Sequence, residues 1–520
     1  MHCATLVWAA SLLVPSSLGL PSGGCRCMPG DSCWPDGSSS SIMATVVANA
    51  TCDAFTPRSQ PCGLGNQVVY AVNASSPDNF SKTILFSQER NVRLVIRNTG
   101  HDHLGKSTGA GSLSIWTHHL KEVKFRYYTS SHYTGPAVTM AAGVQGMDIY
   151  QAADIRGLVV VGGECSTVGV AGGYTQGGGH SALSSRFGLG ADQVLDWQVV
   201  DGTGRFLTAS PTKNPDLYWS LSGGGGGTYG VVFSMTVKTY PDFPVTGVVL
   251  GFNADSENSE SFFEAVGHYH RYLPTYTAAG GMAIALISNP SFLLTPLTLP
   301  AMRADTAMAL LTPFLGELER LGIRYELNVT QSPTYLEHYM QLIEPNPTQL
   351  VQNGQYGGRI LSISGIENNN TQLTAAVKAI TGDGVTFVGI GLNVSSSVAG
   401  NVRNSVLPAW RTAALNVILS TAWPAGANLT TMDALARAMT TKWVPILTSL
   451  APDSEVYMNE ADPQQPGWQQ EFYGPNYNRL LTIKARYDPF GTFNTHTAVG
   501  SENWRVGADG RLCRAGDITK

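Results

Sequence analysis

Apolar and polar positions alternate along most of the chain in a way that predicts short strands separated by amphipathic helices. In the first half, the spacing of apolar residues in "DNFSKTILFSQERN" predicts a helix. This stretch lies between two strand-like runs, "QVVYAVN" and "VRLVIRN". Residues 62 to about 242 therefore read as strands and helices in alternation.

The second half repeats this alternation on a larger scale. From residue 246 to about 455 the strand-like runs are "VTGVVLGFN", "GMAIALIS", "RILSISG", "VTFVGIGLNV" and "LNVILSTAW". The helical stretches between them are "SESFFEAVGHYHRYL", "ADTAMALLTPFLGELERLG" and "TMDALARAMTTKWVPILTSL". Prolines in "YPDFPVTGVV" mark a boundary before this region. The pattern predicts a sheet with helices packed on one face.

Charge excludes two classes of partner. Only 13% of the 520 residues are charged, against about 25% in typical globular proteins. The net charge is −5 and no basic run occurs, so a nucleic-acid or anionic-membrane partner has no electrostatic support. The composition is that of a soluble globular chain long enough for two to four domains.

The N-terminus and the glycosylation sequons predict secretion. An apolar run from Ala4 to Val14, followed by small residues up to Gly19, predicts a signal peptide at residues 1–19. No later stretch is long and apolar enough to predict a membrane span. We expect a secreted monomer. The N-x-S/T sequons are at Asn49, Asn73, Asn79, Asn328, Asn369, Asn393 and Asn428.

The cysteines divide into a clustered group and one outlier. Without the leader the chain keeps Cys25, Cys27, Cys33, Cys52, Cys62, Cys165 and Cys513. Most lie in a Cys-rich segment at 20–61 or just after it, which predicts up to three disulfides whose pairing stays open. Cys513 is a plausible distant partner for this group. Cys165, which lies among glycines, is left over.

Two overlapping glycine motifs match a nucleotide-binding pattern and a hydrolase pattern in residue spacing alone. Gly100-x-x-x-x-Gly105-Lys106-Ser107 has the spacing of a phosphate-binding P-loop. Gly105-x-Ser107-x-Gly109 has that of a hydrolase nucleophile elbow. Both motifs need a following helix, whereas "SLSIWT" predicts a strand. A serine hydrolase using Ser107 is kept as the alternative from another enzyme class.

Two further patterns do not predict a binding site. Gly225-x-Gly227-x-x-Gly230 opens a strand rather than the helix of a dinucleotide fingerprint. The paired histidines at 101/103, 118/119 and 268/270 have no acidic or cysteine partners at ligand spacing, so no metal site is predicted.

Four longer motifs resemble those of one flavoprotein family. They are "VIRNTGHDHLG", "CSTVGVAGGYTQGGGH", "DLYWSLSGGGGGTYGVV" and "FYGPNYNRLLTIKARYDPFGTF". Together they resemble the berberine-bridge-enzyme-like branch of the vanillyl-alcohol-oxidase (VAO) family, in particular its secreted fungal members. The resemblance runs from about Cys62 to the end of the chain, and its motifs are sparse in the middle third.

The resemblance implies an α+β fold in two parts. These are a PCMH-type FAD-binding domain and a substrate domain whose antiparallel sheet is covered by helices. On this basis residues 62–242 form the FAD-binding domain and residues 243–458 the substrate domain. Residues 459–520 form a C-terminal segment that returns to the FAD-binding domain.

The resemblance also implies a doubly tethered cofactor. FAD would be bonded to His101 through its 8α-methyl group and to Cys165 through C6, which would account for the odd cysteine. Backbone amides at 99–105 and 168–173 are expected to carry the diphosphate. Ser166 and Tyr174 replace a proline and a histidine of the family pattern. Besides the two tethers, the expected cofactor residues are Thr99, Gly100, Asp102, Gly105, Thr167, Val168, Gly169, Gly172, Gly173, Tyr174, Gly230, Val232, Asn476 and Tyr477.

The implied activity is that of an FAD-dependent oxidase that takes a hydride from a substrate C–H and passes electrons to O2. Such a reaction needs a base for the O–H or N–H proton. In the family, a strand motif holds this base, and "VYMNEAD" stands at its place in this chain. Glu460 is the first candidate for the base and Tyr457 is the second. We expect a small-molecule substrate, a secondary metabolite in the first instance. An alcohol or carbohydrate oxidase of the same family and a flavin-free binding protein are the alternatives.

Overall fold

The computed structural model describes residues 24–34, 59, 65–254, 259–345, 354–423, 427–507 and 509–515. The expected signal peptide, the sequon at Asn49 and two of the cysteines, Cys52 and Cys62, lie outside the described residues.

The first part of the chain forms a small parallel sheet and a larger antiparallel sheet. Its strands are β1 (Tyr70–Asn73), β2 (Leu94–Arg97), β3 (Leu113–Trp116), β4 (Val123–Thr129), β5 (Thr134–Ala141), β6 (Leu158–Val159), β7 (Val194–Asp201), β8 (Phe206–Ala209), β9 (Gly230–Lys238) and β10 (Tyr240–Pro241). Its helices are α1 (Pro77–Glu89), α2 (Gly146–Asp154), α3 (Ser184–Phe187) and α4 (Pro215–Leu221). The parallel sheet has the order β1-β3-β2, and the antiparallel sheet has the order β4-β5-β9-β7-β8.

Helix α1 confirms the helix predicted near the start of the chain. Its N-cap Ser76 accepts a hydrogen bond from the Asn79 backbone amide, and a proline occupies the first turn. Phe80 and Ile84, four residues apart, bury one face of the helix in the core of this part.

The second part is built on one seven-stranded antiparallel sheet. Its strands are β11 (Val245–Asn253), β12 (Met282–Ser288), β13 (Ser291–Pro300), β14 (Tyr325–Ser332), β15 (Gly354–Ser362), β16 (Thr386–Gly391) and β17 (Ala413–Ala422), in the order β14-β11-β13-β12-β16-β17-β15. Its helices are α5 (Ser259–Ala278), α6 (Ala304–Arg320), α7 (Tyr335–His338), α8 (Ile363–Asn368), α9 (Asn370–Gly382), α10 (Ser396–Ala399), α11 (Leu429–Ala438) and α12 (Val444–Leu450). The predicted antiparallel sheet with covering helices is confirmed.

The two faces of this sheet have different neighbours. On β17, Val417 and Leu419 belong to the core shared with the helices, whereas Ile418 belongs to a separate cluster. On β16, Phe387 faces the helices and Val388 faces the other way. Alternation along the strands therefore sends one set of side chains to the helices and leaves the other set for the site described below.

The C-terminal segment packs back onto the first part. It contains α13 (Trp468–Tyr473), α14 (Tyr477–Tyr487), β18 (Trp504–Val506) and β19 (Leu512–Arg514). Phe472 and Leu480 lie in the same core as α1. The buried Lys484 ammonium donates to the carbonyls of Thr228 at 2.7 Å and Phe493 at 2.6 Å. This lysine thus fixes α14 beside the start of β9.

A disulfide joins the two ends of the described chain. Cys25 is bonded to Cys513, and a second disulfide joins Cys27 to Cys33. The expected role of Cys513 as a distant partner is confirmed. Cys165 is the free cysteine among the described residues.

Candidate active site

A cavity of about 700 Å³ lies between the glycine-rich loops of the first part and the sheet of the second part. This volume falls within the range of cofactor and small-molecule sites. Residues from several chain regions line it, among them the loop after β2, the loop after β6, the start of β9, the face of the large sheet that points away from the helices, and the 457–460 turn.

The loop after β2 has a fixed shape and no following helix. The Asp102 carboxylate accepts hydrogen bonds from the backbone amides of Lys106 and Ser107. Gly100 and Gly105 have φ angles of +86° and +72°, which favour glycine. The next regular element is strand β3, so neither a P-loop nor a nucleophile elbow is formed here. Burial lowers the pKa of Lys106, which lines the cavity, to about 8, and the Asp102 charge opposes this shift.

His101 and Cys165 lie on either side of one threonine. The Thr167 hydroxyl is 2.8 Å from His101 Nε2 and 3.5 Å from the Cys165 thiol. Both His101 and Cys165 line the cavity. Burial lowers the pKa of His101, and the Asp102 charge offsets this only in part, so the ring is neutral near pH 7.

The glycines after Cys165 make room for specific side chains. A Cβ on Gly177 would lie 2.3 Å from Asn459 Oδ1. A Cβ on Gly179 would lie 2.8 Å from the Tyr174 ring, and one on Gly190 would lie 2.9 Å from it. The Tyr174 hydroxyl donates to the carbonyl of His180 at 2.8 Å. Tyr174 therefore supports His180 through its backbone.

Glu460 and Tyr457 both line the cavity. Residues Met458–Glu460 form a 3₁₀ turn rather than the strand that the motif implied. The Tyr457 oxygen accepts hydrogen bonds from the Gly179 amide at 3.1 Å and from Asn459 Nδ2 at 2.8 Å. Burial and the charge of Glu460 raise the pKa of Tyr457, so the phenol keeps its proton.

His180 lies between two carboxylates. Its Nε2 is 2.7 Å from Glu460 Oε1, and its Nδ1 is 3.3 Å from Glu164 Oε2. Burial would lower the pKa of His180, but the two carboxylates outweigh it and raise the pKa well above its usual value. Burial alone would raise the pKa of Glu460, but His180 and a hydrogen bond from Asn416 lower it. Glu460 is therefore an ionised carboxylate although its side chain is only 18% exposed.

The wall of the cavity opposite the glycine loops is apolar. It consists of alternate residues on strands β12, β13, β15, β16 and β17, which bear aliphatic, aromatic or hydroxyl side chains and no charge. These residues are Ile284, Leu286, Leu293, Thr295, Tyr356, Thr386, Val388, Ile390, Ile418 and Ser420.

Most of the residues expected at the cofactor line this cavity, and a few do not. Besides His101 and Cys165, those that line it are Thr99, Gly100, Asp102, Val168, Gly169, Gly172, Gly173, Tyr174, Gly230 and Val232. Thr167 contacts His101 without lining the cavity, and Gly105 is exposed. Asn476 donates instead to the carbonyl of Ser405, and the Tyr477 hydroxyl donates to Glu502. The structure does not bring these last two cofactor candidates to the site.

Four residues of this site were not predicted from the sequence as site residues: Glu164, His180, Asn416 and Asn459. His180 follows the conspicuous "QGGG" run, which was the one local signal. Asn459 lies in the "VYMNEAD" stretch and Glu164 directly precedes Cys165, but the contacts of these residues are with distant segments, which the local sequence does not reveal.

The residues that line the cavity are chemically suited to bind FAD. Asn98 Oδ1, His103 Nδ1 and Glu164 Oε1 belong to cavity-lining residues, are buried and have no hydrogen-bond partner in the described protein. Buried polar atoms are normally paired, so these three point to a polar ligand. The apolar sheet face suits a substrate beside it, and the glycine loops let backbone approach a flat ring.

Comparisons with known proteins decide the family. A profile described as "FAD binding domain" matches residues 68–210, and one described as "Berberine and berberine like" matches residues 456–500. The FAD-linked oxidoreductase patO of Aspergillus clavatus is 66% identical, over 99% of this chain and 98% of its own. The chain belongs to the berberine-like FAD-linked oxidoreductases.

Related VAO-type flavoproteins support the same assignment. The VAO-type flavoprotein oxidase VAO615 of Thermothelomyces thermophilus is 41% identical, over 91% of this chain and 83% of its own. The crystal structure of the VAO-type flavoprotein MtVAO615 from Myceliophthora thermophila C1 superimposes with a TM-score of 0.87. That alignment has 36% identity and covers 94% of this chain and all of the other. The protein is thus an FAD-dependent oxidoreductase, which removes the serine hydrolase and the flavin-free binding protein from consideration.

None of the helices in the described residues is long and apolar enough to cross a membrane. No cluster of three or more histidine, cysteine or acidic side chains suited to a metal was found in the same residues.

Proposed function

We propose that this FAD-linked oxidoreductase is a secreted oxidase of small, largely apolar alcohols, with FAD on two covalent bonds and Glu460 as the base. One observation carries the proposal. An ionised, largely buried carboxylate shares a cavity with a neutral histidine and a free cysteine, and one threonine hydroxyl bridges the histidine and the cysteine.

The two tethers are supported by the state of each side chain. The Thr167 hydroxyl forms a hydrogen bond with His101 Nε2, whereas His101 Nδ1 has no partner among the described residues. His101 Nδ1 is therefore the nitrogen available for a covalent bond to the flavin. A neutral imidazole has a nucleophilic lone pair. Cys165 is partly exposed at the cavity and takes no part in a disulfide.

Glu460 has the geometry of a base. Each of its oxygens already accepts one hydrogen bond, Oε1 from His180 and Oε2 from Asn416, at 2.7 Å in both cases. A carboxylate oxygen has two lone pairs, so one on each oxygen remains for a substrate hydroxyl. FAD, when bound, supplies the hydride acceptor. Glu460 would take the hydroxyl proton as the substrate is oxidised to a carbonyl compound.

Tyr457 suits the role of a donor rather than of a base. Two N–H groups occupy its oxygen lone pairs, which leaves its O–H to donate. The raised pKa of Tyr457 also opposes proton removal by this phenol. We therefore propose that Tyr457 donates to the substrate oxygen while Glu460 accepts the proton.

The substrate class follows from the sheet face of the cavity. Its six aliphatic side chains are Ile284, Leu286, Leu293, Val388, Ile390 and Ile418, and the polar groups beside them are hydroxyls. A sugar would present several hydroxyls to this face and leave most of them unpaired, which is costly in a buried site. A compact apolar metabolite with a single reacting hydroxyl suits the face better.

Secretion is supported by the disulfides and by the sequons. Asn73, Asn328 and Asn428 are exposed, and the other described sequons are partly exposed. Disulfides are typical of oxidising compartments. Enzymatic deglycosylation of protein from the culture medium should lower its mass, and an unchanged mass would contradict glycosylation.

Flavin reduction tests the base directly. A panel of small alcohols is first screened by O2 uptake and peroxide release, and the best substrate is used in anaerobic stopped-flow reduction. Glu460→Gln should retain the flavin spectrum and slow reduction by about 10²–10⁴-fold, with loss of the acidic limb of the rate profile. Tyr457→Phe should slow reduction less and keep that limb.

Glu455→Gln is the matched control, because Glu455 lies in the same segment and does not line the cavity. Its reduction rate should match that of the wild type. A Glu460→Gln variant as fast as the wild type would remove Glu460 from the chemistry.

A further inference from the structure

The His180 cluster consists of Glu164, His180 and Glu460, and the proposed reaction uses only Glu460 of these three residues. His180 itself touches neither tether, and its side chain is only 6% exposed. It connects two distant segments: Glu164 precedes Cys165, and Glu460 lies 280 positions after His180. A buried histidine between two carboxylates is costly unless it is charged.

Several contacts fix the ring of His180 in place. The Tyr174 hydroxyl donates to the backbone carbonyl of His180 at 2.8 Å. The centroid of the His180 ring lies 5.6 Å from that of the Tyr457 ring. The centroid of the Trp410 ring lies 6.4 Å from that of His180. These contacts and the hydrogen bond to Glu460 hold the imidazole against that carboxylate.

The two contacts to the carboxylates differ in quality. The 2.7 Å contact to Glu460 is a short charge-assisted hydrogen bond. The 3.3 Å contact to Glu164 is within ion-pair distance, but His180 Nδ1 lacks hydrogen-bond geometry with any described group. The stronger interaction is thus the one to Glu460.

The tyrosines and the second histidine that interact with Glu164 or Glu460 are neutral near pH 7. Burial raises the pKa values of Tyr174, Tyr335 and Tyr457. Burial lowers the pKa of His103, which faces Glu460. His180 is therefore the cation that balances Glu460 within the described structure.

We propose that His180 is a positioning residue whose imidazolium, held between Glu164 and Glu460, keeps Glu460 ionised and aimed into the cavity. The inference rests on the proposed role of Glu460 as the base. Its test therefore includes measurements on the resting protein that do not depend on turnover.

The kinetic test is the pH dependence of flavin reduction in His180→Gln. Glutamine can still donate to Glu460 but carries no charge. An opposite charge at this distance shifts a carboxyl pKa by about one to three units, so the acidic limb should move to higher pH by that amount. Above the shifted limb the rate should return to within about threefold of the wild type. A loss by the same factor at every pH would show a merely structural role and overturn the proposal.

The stability test uses the thermal unfolding of the wild type and His180→Gln across pH. The pKa of His180 is raised by folding, so the stability that it contributes is fully present below its unfolded pKa of about 6.5. That contribution declines as pH rises from there through the folded pKa. The difference in melting temperature between the two proteins should therefore be larger at pH 6 than at pH 8.

His338→Gln is the matched control, because His338 is also buried but contacts a hydroxyl, Thr298 Oγ1, at 2.9 Å. Burial lowers the pKa of His338 to about 4, so its protonation disfavours the folded state below about pH 6.5. This control should become more stable relative to the wild type as pH falls, the opposite trend to His180→Gln. Identical trends in the two variants would overturn the proposal.

A direct observation needs no variant. In protein labelled with ¹⁵N at histidine, one imidazolium should persist at pH 8, where ordinary histidines are neutral. If none persists, the proposal fails, even when His180→Gln does not fold. If it persists but Glu460→Gln reduces flavin normally, the cluster stands and only the base assignment fails.

Discussion

Replacing Arg411 with methionine is predicted to weaken the contact between the two parts of the protein. Asp192, in the first part, is fully buried and accepts hydrogen bonds from Nη1 and Nη2 of Arg411, at 2.9 Å and 2.7 Å. Asn404 and the Leu189 amide supply its other hydrogen bonds. The substitution leaves a buried carboxylate with half of its donors.

The expected cost follows from these contacts. Breaking a buried ion pair costs about 3–5 kcal/mol of stability. Because Asp192 keeps two other donors, Arg411→Met should lower the free energy of unfolding by about 3 kcal/mol. For a domain of about 150–250 residues, a loss of this size lowers the melting temperature by about 6–12 °C. Because Asp192 is shielded from solvent, added salt should change this loss little.

Arg126→Met provides the matched control. The Arg126–Asp196 pair is 3.4 Å long, and 47% of the Arg126 side chain is exposed. Exposed pairs contribute about 0–1 kcal/mol, so this variant should melt within about 4 °C of the wild type. Differential scanning calorimetry of the three proteins at low and high salt measures both effects. Equal losses in the two variants would refute the reasoning.

Two further predictions concern the glycine loop and the chain ends. Gly177→Ala should slow flavin reduction without releasing flavin, because the new Cβ would displace the Asn459 side chain. A Cβ on Gly316 would meet no atom within 4 Å, so Gly316→Ala should leave the reduction rate unchanged. Stopped-flow reduction checks this, and equal rates in both variants would contradict it. Replacing Cys25 and Cys513 together by serine should cost about 2–4 kcal/mol, because the disulfide closes a loop with a sequence separation of 488. Calorimetry under oxidising conditions tests this loss, and an unchanged melting temperature would contradict it.

The fold was predictable where one face of an element is buried and the other is exposed. Helix α1 and strands β11, β12, β16 and β17 have regular apolar spacing, and each was predicted. Strand β13 was missed because Pro296 and Pro300 lie within it, and proline normally argues against a strand. Strand β14 was missed because its side chains are mostly polar or partly exposed.

The cavity was predictable only from motifs that are local in sequence. The segments around His101, Cys165 and Glu460 were all brought to one cavity. His180 could not be predicted, since its two partners come from segments that only the fold brings together. Asn476 lies within a matching motif, but the motif also serves to pack the C-terminal segment, and this residue supports the loop at Ser405.

Acid denaturation followed by pepsin digestion and mass spectrometry tests the tethering of FAD through His101 and Cys165. The denatured protein should retain its flavin, and the digest should yield one flavin-bearing species that joins the peptides containing these two residues. In Cys165→Ala the flavin should remain on the His101 peptide alone. Free FAD in the supernatant of the wild-type protein, or flavin on neither peptide, would contradict the covalent site proposed for this oxidoreductase.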